Sequence, residues 1–129
     1  MSSISDYLEN TLLNAVVRNT TYTSPSTVYL ALFSSSTGLE EGTLTNELTG
    51  GGYARQAVTF SAPSNGVVTN SGNISFPEAT SDWATIRGMA IMDASTGGNV
   101  LFSTATGSKD VLTGDTLIIL DTELSITLD

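Results

Sequence analysis

The sequence contains no cysteine and no histidine, and its only lysine is Lys109. Without thiols or imidazoles there can be no disulfide, no thiol nucleophile, no Ser-His-Asp triad and no zinc, iron–sulfur or His-ligated metal site. Positive charge is almost as scarce. Arg18, Arg55, Arg87 and Lys109 face thirteen acidic side chains, which gives a net charge of −9 over 129 residues. Binding nucleic acid by phosphate neutralisation, or docking on an anionic membrane surface, needs clusters of Lys and Arg, so both are excluded. No run approaches the roughly 18 to 20 apolar residues of a transmembrane helix, and no membrane insertion is expected. The opening Met1–Asp6 stretch has no basic region leading into an apolar one, so no signal peptide is expected and synthesis in a cytoplasm is. Any enzyme chemistry would rest on carboxylates, Lys, Ser or Tyr.

What is present is uncharged and polar. Ser and Thr number 37, Gly adds 12, and 40% of residues are apolar, enough for one sizeable core in a single domain over residues 1–129. Thr suits pleated, half-buried surfaces, whereas Ser and Gly suit turns. This is the composition of a β protein with one helical exception.

The exception comes first. Ile4, Tyr7, Leu8, Leu12, Leu13, Val16 and Val17 recur at steps of three and four, the stripe of an amphipathic helix over residues 3–18. Ser3 and Asp6 fit a capping box, Asp6 and Glu9 complement the macrodipole, Arg18 lies near the last turn, and Asn19 suits a left-handed end. Strands are predicted across 28–128. Val28–Phe33 is apolar at every position, which marks a strand covered on both faces. Ser34–Gly52 reads as a long polar loop, of the kind that is usually functional or mobile. Tyr53–Phe60 alternates, with Ala54, Val58 and Phe60 on its apolar side. Asn65-Gly66 signals a hairpin. Trp83–Met92 reads as a strand with a bulge or close packing at Gly88, and Val100–Thr104 follows the Thr96–Asn99 turn. Ser108–Asp110 and Thr113–Asp115 flank a short strand, and Leu117–Leu120 and Leu124–Leu128 close the chain. Short strands at roughly ten-residue spacing indicate an antiparallel β-sandwich or jelly-roll-like domain. Its expected core is Leu30, Leu32, Val58, Phe60, Phe76, Ile91, Leu101, Phe102, Leu117, Ile126 and Leu128.

Three patterns invite chemistry. Gly51-Gly52-Tyr53-Ala54-Arg55-Gln56 has the glycines of a phosphate loop, but a strand rather than a helix follows them. A packed Tyr53 and an Arg55 paired with a carboxylate, or Arg55 at a subunit interface, are the competing readings. Glu78, Asp82 and Trp83 group two carboxylates with a sugar-stacking ring, the inventory of a glycosidase or a carbohydrate-binding site, although Trp83 serves equally as a core anchor. Asp110, Asp115, Asp121 and Glu123 are oxygen donors without the spacing of a calcium loop. No cofactor, no metal site and no enzymatic activity are expected.

Beyond these patterns the chain resembles a known group. The N-terminal helix is followed by TYTSPSTVYLALFSSSTG, GGGYARQAVTFSAPSNG, the Ser71–Trp83 segment, IMDASTGGNVLF and a closing GDTL with LSITLD. This order is similar to small tailed-phage virion proteins labelled tail-fibre proteins, related in appearance to capsid decoration (cement) proteins. The likeness spans residues 4–129, and its most specific parts are residues 51–56 and the 93–99 turn. It implies a virion protein, foremost a cement subunit that oligomerises as a homotrimer on the major capsid protein. The alternative is a tail-fibre or tail-associated module that meets tail proteins or a host-surface glycan. The bare single domain, lacking a coiled-coil shaft, speaks for the first. With so acidic a surface, attachment should rest on apolar contacts and local pairing at Arg18, Arg55 or Arg87, with Tyr53 beside them. The helix stripe (Ile4, Tyr7, Leu8, Leu12, Leu13, Val16 and Val17) is wide enough to pack partly on its own sandwich and partly on a neighbour; if instead it is wholly internal, the 34–52 loop is next in line as the docking surface.

Overall fold

The computed structural model describes residues 3–128; Met1, Ser2 and Asp129, which the single-domain expectation also spans, lie outside the described residues. The elements are β1 (Ser3–Ile4), α1 (Asp6–Val17), β2 (Val28–Phe33), β3 (Gln56–Val58), β4 (Val67–Thr69), β5 (Ile74–Ser75), β6 (Ile86–Met92), β7 (Val100–Lys109), β8 (Ile118–Ile119) and β9 (Ser125–Thr127). An antiparallel sheet of order β1-β7-β6-β2-β3 is faced by two ribbons, β4-β9 and β5-β8. The chain is thus mainly β, antiparallel and sandwich-like, with one helix near its start.

The unbroken apolar run of β2 has a direct cause: its sheet is covered on both faces. Leu30, Leu32, Ile91 and Leu101 point toward the ribbons, where they meet Ile74, Phe76, Leu124 and Ile126. Ala31 and Phe33 point the other way, with Ala90, Met92 and Val100. That second face is closed by the long loop, which drops Leu39 (1% exposed) onto Phe33 and its neighbours. The loop is therefore a packed cover rather than a mobile polar segment. Each such fully buried side chain stabilises the fold by about 1.5–3 kcal/mol relative to exposure. Leu48 is buried too, on the ribbon side.

The helix starts later than the capping-box reading placed it. Ser3 and Ile4 are captured as β1, paired with Ser103 and Phe102 of β7. The N-cap is Ser5, whose Oγ accepts from the Leu8 N–H at 3.1 Å. Leu8 is buried and Leu12 half-buried, but Leu13, Val16 and Val17 stand out in solvent. Asn19 adopts the expected left-handed conformation, φ 54°.

Other differences follow from pairing. Only Gln56–Val58 of the 53–60 segment joins the sheet, and Ala54 is exposed while Tyr53 turns inward. β7 runs to Lys109, so Ser108–Asp110 does not flank a separate strand. Between the pairs Gly88↔Ala105 and Ile86↔Lys109, β7 spends two more residues than β6, a bulge at the position where Gly88 was expected to allow one. A Cβ there would lie 3.1 Å from Ser36, so the cover loop packs closely on the glycine and would have to shift by a few tenths of an ångström for a larger residue. Asn65 and Gly66 (φ 53° and 77°) form the hairpin turn before β4. Of the expected core, Leu30, Leu32, Val58, Phe76, Ile91, Leu101 and Ile126 are buried. Phe60, Phe102 and Leu117 are half-buried, and Leu128 is 50% exposed because its ribbon ends at Thr127.

Candidate functional site

The densest polar arrangement in the molecule is built around Arg55, just before β3. Its Nε and Nη2 donate to the two oxygens of Glu47, each at 2.7 Å, a bidentate pair that only a guanidinium can make. Its Nη1 donates to the carbonyls of Ala94 and Gly97, both at 2.8 Å. The side chain is only 3% exposed, and that of Glu47 18%. Tyr53 completes the group: its hydroxyl donates to Glu47 Oε2 at 2.7 Å and accepts from the Leu32 N–H at 3.0 Å. One guanidinium therefore ties the end of the cover loop, the approach to β3 and the β6–β7 turn into a single clamp.

The titration of the clamp follows from this geometry. Burial pushes the Glu47 carboxyl up, but hydrogen bonds from Arg55 and Tyr53, with the Arg55 charge, outweigh it and hold the group below the usual carboxylate range. Burial, reinforced by the neighbouring carboxylate, pushes the Tyr53 hydroxyl well up. Hydrogen bonding to Glu47 likewise raises Arg55. The pair is charged across any physiological pH, and no group in it is poised to exchange a proton. It is a fastening.

Beneath the clamp lies an aromatic trio. Tyr53 stacks near Phe76 at 6.3 Å, and Trp83 meets both edge-on, with centroids at 5.7 and 6.3 Å. Trp83 is buried and its Nε1 donates to the Gly51 carbonyl at 2.8 Å, so it is a core anchor and not an exposed sugar platform. This contact also explains the glycines. Gly50, Gly51 and Gly52 all have positive φ, and a Cβ on Gly51 would sit 2.8 Å from the Trp83 ring. The run is a tight bend against an indole, not a phosphate cradle.

A family model described as podophage GP4 fiber I protein gp80 matches residues 3–127. The chain belongs to that family. Membership makes it a structural component of a phage virion. None of the curated proteins matches the chain. The two segments that carried the resemblance, 51–56 and 93–99, prove to be the two sides of the clamp: Arg55 reaches across from one to the carbonyls of the other. Within the turn itself, Asp93 accepts from the backbone and side chain of Asn99 at 2.7 and 3.0 Å.

The remaining candidates are scattered. Asp82 accepts from the backbone and hydroxyl of Thr113, which lowers its pKa, and Glu78 shares no hydrogen bond with it. Asp110 accepts from Thr85, Asp115 from the Leu112 N–H and Asp121 from the Gly72 N–H. Among the described residues no group of three or more acidic side chains could hold a metal ion, and no helix is long and apolar enough to cross a membrane. Tyr53 and Arg55 are joined by the clamp. Arg18, bonded to Asn14 at the helix end, and Arg87, exposed on β6, lie elsewhere. Ile4 and Leu12 pack against the core that holds Leu8, and Tyr7 is 41% exposed.

Proposed function

We propose that the protein is an accessory subunit of the phage fibre apparatus, joined to tail proteins through the outer side of α1. The family match over residues 3–127 carries the fibre assignment. Support for the attachment face comes from the helix. Leu8 and Leu12 turn inward, while Leu13, Val16 and Val17 are 59%, 77% and 71% exposed on the outer side of its last two turns. Three adjacent large apolar residues at that exposure suit a protein contact. The reading requires no substrate and no cofactor.

Capsid decoration, on the major capsid protein, is the second reading. It is favoured by the compact form of the described residues, whose only helix has 12 residues and which show no coiled-coil or repetitive shaft. Quantitative mass spectrometry of purified particles, with gold labelling of an epitope tag, separates the two. Copies in a small multiple of tail symmetry, with label at the tail, are expected. Copies in proportion to the shell, with label over the head, would overturn the fibre reading in favour of decoration.

A further inference from the structure

A cleft of about 540 Å³ opens beside the clamp, between the end of the cover loop and the β6–β7 turn. Glu47, Leu48 and Arg55 line its inner part, and Thr49, Ser95 and Thr96 stand exposed on its rim. Every residue that lines it is described. β1 lies at the opposite edge of the five-stranded sheet, and Leu128 bonds to Gly66 and lines none of the cleft. The clamp leaves one donor and one acceptor unused here. A guanidinium carries five N–H groups. For Arg55, the Nε–H and one N–H of Nη2 go to Glu47, and both of those on Nη1 go to carbonyls. The second N–H of Nη2 has no partner among the described residues. Glu47 Oε2 accepts two bonds, from Arg55 and Tyr53, whereas Oε1 accepts one. The spare N–H and the spare lone pair therefore sit on atoms 2.7 Å apart.

We infer that this cleft receives a loop of another virion protein and reads an Asn or Gln side chain in it. A carboxamide offers an acceptor oxygen and a donor nitrogen side by side, so it engages Nη2 and Oε1 together. The ion pair is neutral as a unit, which suits an uncharged guest. A carboxylate would meet Glu47 and a net charge of −9, and a basic side chain would meet Arg55. Leu48 and Ala54 give the aliphatic stem an apolar floor, and the rim hydroxyls are placed to bond the backbone of the loop. A sugar diol would match the same two atoms. However, Trp83 is buried and Tyr53 is stacked near Phe76 with its hydroxyl held in the clamp, so no open aromatic face awaits a sugar ring. The contact makes no use of α1 and holds for a tail or a shell partner alike, so it fails or stands independently of the fibre reading.

The test follows the backbone amides and the Arg55 Nε–H of the full-length protein by NMR as a capped Gly-Ser-Gln-Ser-Gly peptide is added. Shifts confined to Thr49, Arg55 and residues 95–97 are expected. Peptides with glutamate or methionine in place of the glutamine should bind at least roughly fivefold more weakly, the factor for about one hydrogen bond. Thr49→Trp crowds the cleft from an exposed position outside the clamp, and should abolish the shifts while the melting temperature holds. Because the chain has no cysteine, Thr96→Cys carries a single benzophenone label. Irradiating assembled particles should join it to a segment of another protein that contains Asn or Gln. Equal binding of the three peptides, shifts elsewhere or none, a captured segment without either amide or no capture, or stronger shifts of the same signals by neutral methyl glycosides would each overturn the proposal; the last would identify a sugar site.

Discussion

Replacing Arg55 with methionine keeps most of the aliphatic volume of the side chain and removes its charge and every donor. Glu47, 18% exposed, is then left with the Tyr53 hydroxyl as its one partner. Breaking a buried ion pair from one side costs about 3–5 kcal/mol, because the orphaned charge remains. The partial exposure of Glu47 places this case near 3 kcal/mol, since water can reach one side of the carboxylate. The Ala94 and Gly97 carbonyls lose their donor as well, but both lie in a surface turn and recover water, which adds about 0.5–1 kcal/mol. For a chain of this length each kcal/mol corresponds to roughly 3–5 °C, so Arg55→Met should melt about 10 °C or more below the wild type. Differential scanning calorimetry gives the melting point, and a cycle with Glu47→Gln gives the coupling. The double variant should be less damaged than the sum of the singles by at least about 1 kcal/mol. A fall of less than about 3 °C, or simple additivity, would refute the clamp as a unit.

Further outcomes follow from the same contacts. A carboxyl whose folded pKa is depressed, as at Glu47, contributes fully above its unfolded value of about 4.3 and loses that contribution as pH falls through the folded value. Melting temperature should therefore hold level above roughly pH 5 and fall in acid, and Glu47→Gln should show a shallower acid fall in a pH series. Leu8→Ala should cost about 2–4 kcal/mol in urea denaturation, whereas Leu13→Asp with Val17→Asp should change stability by less than about 1 kcal/mol and instead abolish incorporation into particles. Asn70 is buried, donating to the Gly72 and Leu120 carbonyls and accepting from the Leu124 N–H; Asn70→Leu should cost about 2–3 kcal/mol in the same assay.

Side-chain periodicity revealed elements whose pattern was set by one strong apolar contrast. The α1 stripe and the unbroken β2 run are of this kind: β2 lies where expected, and the helix is present but runs from Asp6 to Val17, with Ile4 in β1 and Leu13, Val16 and Val17 in solvent. The helix start was misplaced because Ser3 and Ser5 are equally good caps, and only the edge of β7 decides between them. Residues 104–109 of β7 are Thr, Ala, Gly, Ser and Lys, a composition indistinguishable from a turn; pairing with β6 makes them a strand. The inward turn of Tyr53 opposed the local alternation because Glu47 and the aromatic trio reward it more than the sheet does. Arg55 was legible as a paired or interfacial side chain. Its partners Glu47, Ala94 and Gly97 were not, since no local rule links positions 8 and about 40 residues apart. The cover loop concealed its role because only Leu39, Leu44 and Leu48 interrupt a polar stretch.

The pairing order sets a timetable. Ser3 waits for Ser103, Leu30 for Ile91, and Val67 for Thr127. A chain emerging from a ribosome can pair β2 with β3 and then with β6, but β1 has no partner until β7 is out, and the β4 ribbon stays single until the last few residues are made. Loop closure over such spans must be met before any contact repays it, which places folding in the range of roughly milliseconds to seconds rather than microseconds. Until then β2, apolar on both faces, lacks the complete ribbon cover of one of them, since Leu124 and Ile126 come last. The window between synthesis and assembly is thus when this subunit is most exposed to aggregation, and its large negative charge is the one protection that requires no folded structure.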